Sequence, residues 1–298
     1  MVRKLKWLGL VLLALVGACS GSPTTPSPTG PGGGGTPPAG PVTILAAGDV
    51  GWCADLTAAE QTAKIIDQYP GPVLALGDLA YLSGTAEQFQ NCYGPTWGRF
   101  RTRTHPVPGN HEYLTAGGGP YYDYFGDRAG ASGDGYYAFT LGNWRVIALN
   151  SNIEMQRGSP QYIWLQRELQ TPSKCTLAFW HHPRFTSGPN LDNPNTGPLW
   201  ELLYQNSVDV VLNGHDHLYE RFLPMNPDGQ LDRDKGIRQF ISGGGGALLY
   251  KFASVKPNSA SRYEGYGVLK MILGDGRYDW EFLPVTPGFS DTGFDSCK

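Results

Sequence analysis

The sequence predicts a mixed α/β domain in which packed β-sheets carry helices on their outer faces. Short apolar runs rich in Val, Ile and Leu end in Gly-Asp, Gly-Asn or Asn-Gly, which is typical of buried strands that stop at a loop. These runs are VTILAAGD, PVLALGD, HPVPGN and VDVVLNG. Segments with helical spacing and two hairpins separate them, and strands that alternate with helices in this way favour the mixed α/β class.

Three helices are predicted between the strands. The first covers LTAAEQTAKIIDQYP, where apolar residues recur at helical spacing and Thr57 is a candidate N-cap. The second covers SPQYIWLQRELQ, with Ser159 as its cap and Pro160 in its first turn. The third covers TGPLWELLYQN.

Two hairpins complete the predicted order of elements. GYYAFTLGNWRVIALNS is expected to turn at Gly142-Asn143, and GVLKMILGDGRYDWEFLPV at Asp275-Gly276. In open α/β sheets, the loops at the carboxyl ends of strands converge and hold ligands. The loops after the apolar runs are therefore the expected place for a functional site.

Residues 1–18 predict an export signal, because a basic start and a short apolar run precede small residues and Cys19. The V-G-A-C ending resembles the bacterial lipobox, so Cys19 is expected to carry acyl chains that anchor the protein to a membrane. This places the protein in the bacterial cell envelope, at the periplasmic or outer surface. The alternative is an ordinary secretory signal with a nearby cysteine.

Composition divides the rest of the chain at residue 41. Residues 19–41 begin at the lipidated Cys19, and the stretch that follows is almost entirely Ser, Thr, Pro and Gly, which predicts a disordered tether. Residues 42–298 are expected to form one folded catalytic domain with a sizeable core.

The charge of the chain disfavours a nucleic-acid surface. The formal net charge is −3, and removal of Arg3, Lys4 and Lys6 with the signal makes it −6. No basic block or stripe is present in the sequence, and such a patch is the usual electrostatic mark of a nucleic-acid binder.

The cysteines beyond Cys19 predict two disulfides, since an even number in an exported protein is typical of a disulfide framework. Their three possible pairings stay open at this point. None has C-x-x-C spacing, which argues against a thiolate zinc site. The four residues are Cys53, Cys92, Cys175 and Cys297.

Polar residues follow five of the predicted strands. Four loops read GDVG, GDLAY, GNHE and GHDH, and the strand TLAFWHHP ends in His181 and His182. Carboxylate and phenol oxygens are hard donors, and imidazole is the commonest protein ligand for transition metals. The H-x-H of GHDH is weak evidence alone, because alternate side chains of an extended segment point to opposite sides. SGGGGALLY lacks the Lys-Ser/Thr ending of a P-loop and predicts close backbone packing instead.

Taken together and in this order, the motifs resemble those of the calcineurin-like metallophosphoesterases, which run GDxG, GDxxY, GNHE, VxxH and GHxH. The tyrosine of GDLAY is similar to that of the purple acid phosphatase branch. Four of the five motifs match letter for letter across Gly48 to His217. The resemblance implies a sandwich of two mixed β-sheets flanked by helices, an α/β/β/α arrangement.

The resemblance also implies two metal ions with Asp78 as the bridging ligand. It assigns Asp49, Tyr81 and His217 with Asp78 to the first ion, and Asn110, His181 and His215 with Asp78 to the second. A ferric ion would favour Tyr81 as a phenolate, with divalent Fe, Zn or Mn at the other position. Such a pair can activate a bridging hydroxide for attack on a phosphate ester. Its net positive charge would attract the anionic substrate.

His111 follows a predicted ligand and is similar to the family histidine that faces the substrate. When protonated, it is expected to stabilise the transition state and to help protonate the leaving alcohol, with Glu112 orienting it. The alternative is a structural histidine with a packed carboxylate. The fourth motif departs from the pattern at its valine. The resemblance favours His181 as the ligand there, because the family commonly has its ligand two residues before a proline, here Pro183, and His182 is left to line the pocket or cap the strand.

The predicted function is hydrolysis of small phosphate monoesters by a membrane-tethered, exported enzyme similar to the acid phosphatases. One alternative keeps the site and changes the substrate to a phosphodiester or nucleotide. Another is a non-catalytic, metal-binding surface lipoprotein on the same fold. A hydrolase with a single zinc ion lacks support, since H-E-x-x-H is absent from the sequence. The oligomeric state stays open.

Overall fold

The structure is a computed structural model that describes residues 40–298. The predicted signal peptide (1–18), Cys19 and all but the last two residues of the predicted tether lie outside the described residues. Within the described part, no helix is long and apolar enough to cross a membrane.

Most strands are short and belong to two large sheets. In chain order they are β1 (Val42–Ala47), β2 (Gly51–Trp52), β3 (Val73–Ala75), β4 (Ala80–Tyr81), β5 (Thr104–Pro106), β6 (Tyr137–Leu141), β7 (Trp144–Ala148), β8 (Cys175–Phe179), β9 (Val210–Asn213), β10 (Tyr219–Phe222), β11 (Arg238–Ser242), β12 (Ser259–Tyr263), β13 (Gly267–Gly274), β14 (Arg277–Pro284) and β15 (Thr292–Ser296).

The helices of the described part are α1 (Thr57–Ile66), α2 (Ala86–Gln88), α3 (Gly119–Phe125), α4 (Pro160–Glu168) and α5 (Gly197–Gln205). A π-helical turn, Phe89–Tyr93, continues α2. Further 3-10 turns are Trp97–Arg103, Glu112–Leu114, Ala116–Gly118, Gly126–Ala129 and Pro194–Thr196.

The two large sheets both contain a parallel core with antiparallel additions. One has the order β15-β14-β13-β1-β3-β5, with β1, β3 and β5 parallel. The other has the order β12-β10-β11-β9-β8-β7-β6, with β7, β8, β9 and β11 parallel. The parallel strands of each sheet share one carboxyl edge, so the loops that follow them lie together.

Three apolar clusters define the layers of the fold. The central cluster joins residues of both sheets, such as Ile44 and Leu74 of the first and Leu177 and Val210 of the second. A second cluster packs α1 and α3 on the outer face of the first sheet, and a third packs α4 and α5 on the outer face of the second. The predicted α/β/β/α sandwich is therefore confirmed.

Most of the predicted elements are present. The strands that precede the polar loops, the three helices and both hairpins form as expected. Ser159 caps α4 by accepting a hydrogen bond from the Tyr162 N–H. The prediction that Thr57 caps α1 is wrong: Thr57 is the first helical residue, and its N–H donates to Asp55 Oδ1.

The disulfide pairing that the sequence left open is Cys53–Cys92 and Cys175–Cys297. The first links the loop after β2 to the π-helical turn near Tyr81. The second links the start of β8 to the chain after β15, and so ties the second sheet to the outermost strand of the first. Spacing alone could not separate the pairings, because the partners are 39 and 122 residues apart in the chain.

Candidate metal centre

The loops after β1, β3, β5, β8 and β9 bring the predicted site residues to one edge of the sandwich. Five of these side chains are buried, namely Asp49, Asp78, Tyr81, His181 and His217. Asn110, His111, His182 and His215 are partly exposed. The candidate ligands are therefore mostly buried, and one side of the site is open to solvent.

The first group of donors surrounds the Tyr81 hydroxyl. Tyr81 Oη lies 2.9 Å from Asp49 Oδ1 and 3.2 Å from Asp78 Oδ2. It also lies 3.0 Å from His217 Nε2, which is 3.2 Å from Asp49 Oδ1. The single phenol proton cannot satisfy three acceptors at once. The group therefore has more lone pairs than protons.

The second group surrounds His181 Nε2. This nitrogen lies 3.1 Å from Asp78 Oδ2, 3.1 Å from Asn110 Oδ1 and 3.2 Å from His215 Nδ1. Asp78 Oδ2 thus belongs to both groups, as expected of a bridging ligand. His182 stands beside this group and is not part of these contacts; its Nδ1 lies 2.7 Å from Ser151 Oγ.

Backbone carbonyls fix which ring nitrogens face the site. His181 Nδ1 lies 2.8 Å from the Leu76 carbonyl oxygen, and His217 Nδ1 lies 2.6 Å from that of Leu248. Because a carbonyl oxygen only accepts, each Nδ1 must donate, and in the neutral ring Nε2 keeps its lone pair. Contacts of this kind are typical of metal-ligating histidines.

The donor set fits a metal pair. Ligand bonds to transition metals are about 2.0–2.2 Å long, so neighbouring donors at right angles lie about 3 Å apart. The donor separations of 2.9–3.2 Å agree with this spacing. A mixture of carboxylate, phenol, amide and imidazole donors suits Fe, Zn and Mn.

The carboxylates also make the site favourable for positive charge. Burial disfavours the imidazolium form of His181, but Asp78 outweighs it and raises the pKa of His181 to about 9. The pKa of His217 is raised in the same way, against burial, by its nearest carboxylate. Burial and both carboxylates raise the pKa of Tyr81, whereas burial and the charge on His181 lower the pKa of His215 to about 2. A metal ion would supply the positive charge that these groups favour.

The backbone is unusual at the same positions. Asp49, Asp78 and His215 have φ values of 62°, 52° and 73°, which non-glycine residues rarely adopt. Glycines permit the close approach of these loops: a Cβ at Gly109 would collide with the Asp78 carboxylate, and one at Gly214 would lie 2.8 Å from Asp49 Oδ2. Strain of this kind persists where surrounding contacts hold a functional geometry.

The Glu112 carboxylate supports the backbone of the loops that carry the predicted ligands. It is fully buried and accepts four backbone N–H groups, from Asp78, Leu79, Ala80 and Gly109, at 2.7–3.3 Å. It therefore joins the GDLAY loop to the GNHE turn, instead of orienting the His111 ring directly. Burial and the nearby Asp78 charge raise the pKa of Glu112 to about 7.

His111 lies on the open side of the site. Its ring contacts the Tyr81 ring, with centroids 4.4 Å apart, and Nδ1 hydrogen-bonds to the Leu82 carbonyl oxygen. Nε2 lies 3.8 Å from Asp78 Oδ2, while the backbone N–H donates to Asp78 Oδ1 at 2.8 Å. The ring is thus fixed beside the shared carboxylate and accessible from solvent.

His182 lines the site next to His215, with ring centroids 4.4 Å apart. Burial, together with the charge on His181, lowers the pKa of His182 to about 3. A neutral ring held by Ser151 agrees with the expected place at the pocket wall. His181 is the member of this pair that contacts Asp78, as the sequence favoured.

Two further contacts lie near the donors. Asp216, for which the sequence gives no ligand role and leaves a solvent-facing or a loop-bracing position open, is buried and accepts from Thr186 Oγ1 at 2.5 Å and the Asn190 N–H at 3.3 Å. It braces the loop 186–192 against GHDH. Tyr250 stacks on the His217 ring with centroids 4.0 Å apart. Neither contact carries a local sequence signal, because both partners are distant in the chain.

Comparison with known proteins shows the family of the chain. The chain belongs to the calcineurin-like phosphoesterase family, whose model matches residues 42–219. It is similar to purple acid phosphatase 15 of Arabidopsis thaliana, at 27% identity over 62% of this chain and 42% of that protein. It is also similar to probable purple acid phosphatase 20 of the same plant, at 25% identity over 82% of this chain and 63% of that protein. The chain thus spans less than two thirds of these relatives.

The fold has a close structural counterpart among purple acid phosphatases. The structure of the purple acid phosphatase PPD1 from yellow lupin (Lupinus luteus) superposes with a TM-score of 0.71 at 19% identity. The match covers 86% of this chain and 54% of the lupin chain. At this identity the likeness concerns the fold.

Proposed function

We propose that this protein hydrolyses phosphate monoesters at a dinuclear metal centre. The observation that carries the proposal is the position of Asp78 Oδ2, 3.2 Å from Tyr81 Oη and 3.1 Å from His181 Nε2. One carboxylate oxygen shared by two donor groups suits two adjacent ions better than one. Membership of the phosphoesterase family supports metal-dependent cleavage of phosphate esters.

The residues have separate tasks in this proposal. Asp49, Tyr81 and His217 would hold one ion, Asn110, His181 and His215 the other, and Asp78 both. When bound, the ions would supply Lewis-acid activation of a water molecule and of the phosphoryl oxygens. His111, open to solvent on one side, would hydrogen-bond to a phosphoryl oxygen and deliver a proton to the leaving alcohol.

Tyr81 supports a proposal for the metal in the first position. We propose a ferric ion there, with divalent Fe, Zn or Mn in the second position. Burial and two carboxylates disfavour the phenolate, so a strongly charged cation is needed to produce it. Purified, iron-loaded protein should show a visible tyrosinate-to-iron absorption band, and Tyr81→Phe should abolish it.

The matched control for this experiment is Tyr250→Phe. Tyr250 stacks on His217, the histidine that the Tyr81 hydroxyl contacts, but the Tyr250 hydroxyl is outside the donor group. The band should persist in that variant. A colourless wild-type protein that contains iron by elemental analysis would exclude a ferric ion bound to Tyr81.

The substrate class is tested by comparing an aryl phosphate monoester with a bis-aryl diester under the same metal loading. A higher kcat/KM for the monoester is expected, because a dianionic phosphate gains more from a positively charged centre than a monoanionic diester does. A preference for the diester would favour the phosphodiesterase or nucleotidase alternative. Binding of metal without hydrolysis of either ester would favour the non-catalytic lipoprotein.

We also propose that the chain is exported and held at the bacterial cell envelope by acyl chains on Cys19. The support is the signal-like sequence of residues 1–18 and its V-G-A-C ending. In bacterial cells, the full chain should sediment with the membrane fraction and incorporate labelled palmitate. Cys19→Ser should lose the label and appear in the soluble fraction. Equal membrane recovery of both proteins would contradict the anchor.

A further inference from the structure

Four exposed leucines stand at the candidate metal centre. They are Leu82, Leu114, Leu191 and Leu248, with exposed fractions of 54–68%. Only eight large apolar side chains are exposed among residues 40–298, so half of them occur in loops that build or contact this one site. Single exposed leucines are ordinary on a protein surface, but their concentration around a site indicates an apolar contact.

Hydrogen bonds place three of the leucines, and the residue before the fourth, next to a histidine of the site. The Leu82 carbonyl accepts from the His111 ring, and the Leu114 N–H donates to the His111 carbonyl. The Leu248 carbonyl accepts from His217 Nδ1 at 2.6 Å. Leu191 follows Asn190, whose side-chain amide donates to the His215 carbonyl at 2.9 Å. We name these four leucines the leucine rim.

Leu191 gives independent support, because its conformation is costly. It has a φ of 66° and an exposed fraction of 68%. Left-handed backbone is unfavourable for a leucine, and neither core packing nor a buried contact compensates an exposed side chain. The neighbouring residues hold the loop in place: Asp192 forms an ion pair with Lys256 at 2.7 Å. The fold therefore exposes an apolar side chain directly after Asn190, the residue that contacts His215.

We propose that the leucine rim binds the hydrocarbon part of the substrate's alcohol, so that the preferred substrates are phosphate esters of apolar alcohols. The inference rests on the proposed function, which places the phosphate at the donors that the rim adjoins. An ester bound there must direct its leaving alcohol away from the buried donors and toward the open side. Each methylene that leaves water for the rim adds to binding, and a short polar alcohol gains nothing.

The test uses methyl-, butyl- and octylphosphonate, which cannot be hydrolysed at a phosphate ester bond. Their dissociation constants are measured by isothermal titration calorimetry on the metal-loaded full chain, below the critical micelle concentration. A fully buried methylene strengthens binding about fourfold, so a partly exposed rim should give about twofold per methylene. Hydrolysis of an aryl phosphate is measured on the same preparation.

The rim variant combines Leu82→Ser, Leu114→Ser, Leu191→Asn and Leu248→Ser. Asn is used at 191 because it tolerates left-handed backbone. The control variant combines Leu231→Ser and Phe294→Ser, two exposed apolar residues away from the site loops. The rim variant should bind methylphosphonate like wild type and lose most of the chain-length dependence. The control should retain it.

The outcomes separate the rim from the catalytic proposal. Dissociation constants independent of chain length, in a protein that hydrolyses the aryl phosphate, would overturn the rim alone. If wild-type dissociation constants depend on chain length, the rim variant loses this dependence, and the wild-type protein does not hydrolyse the aryl phosphate, the rim is supported and the catalytic function is overturned. Absence of phosphonate binding in a protein that hydrolyses the aryl phosphate would overturn the rim alone, and absence of both binding and hydrolysis would overturn both proposals. Loss of binding to phospholipid vesicles in the rim variant, with unchanged phosphonate affinities, would assign the leucines to a membrane surface and overturn the proposal.

Discussion

Asp78→Asn is expected to lower kcat/KM for aryl phosphate hydrolysis by at least about 10³-fold. Mutation of a residue that only hydrogen-bonds to a metal ligand already costs about 10–100-fold, and loss of a ligand shared by two ions should cost more. The substitution keeps the size of the side chain and the acceptor for the His111 N–H. It removes the negative charge that both donor groups share. Metal content, measured by elemental analysis after desalting, should fall together with activity.

Asp209→Asn is the matched control for this prediction. Asp209 is also buried, and it accepts backbone N–H groups from Thr176 and Lys298 at the opposite end of β9. Its loss should affect stability and leave metal content unchanged. If Asp78→Asn retained its metal and more than a tenth of its activity, the shared-ligand arrangement would be wrong.

The part of the site that could be predicted from sequence consists of residues next to strand ends. Asp49 and Asp78 each follow a buried strand, and the fold brings such loops together whatever the length of chain between them. The preference for His181 over His182 comes from the family resemblance, and His181 is the one that contacts Asp78. Family resemblance added the pairing of donors, which neither periodicity nor composition contains.

What could not be predicted depends on contacts between distant segments. Asp216 alternates with two histidines in one loop, and only the position of Thr186 determines that it is buried and braces a neighbouring loop. The leucine rim was missed for the same reason. In sequence, Leu82 and Leu248 look like ordinary apolar residues, and their exposure follows from how the loops meet. Both disulfide pairings likewise depend on which distant segments the fold brings together.

Glu112→Gln is expected to lower both stability and metal affinity. The carboxylate accepts four backbone N–H groups, whereas a glutamine amide has one oxygen and would turn its own donors toward the others. At about 1–3 kcal/mol for each buried donor left unpaired, the free energy of unfolding should fall by about 3 kcal/mol. Urea unfolding measures this loss.

The metal affinity distinguishes positioning from stability alone. Two of the four N–H groups belong to Asp78, the proposed ligand of both ions, and to Gly109, which precedes the proposed ligand Asn110. Loosening them should weaken metal binding about 10–100-fold. Glu220→Gln is the control, because Glu220 is buried and hydrogen-bonded to Ser187 and Ser259, outside the donor groups. It should lose stability and keep its metal affinity. Equal metal affinities for folded Glu112→Gln and wild-type protein would limit Glu112 to a structural role. The Asp78 carboxylate would then hold its position without the four hydrogen bonds to Glu112.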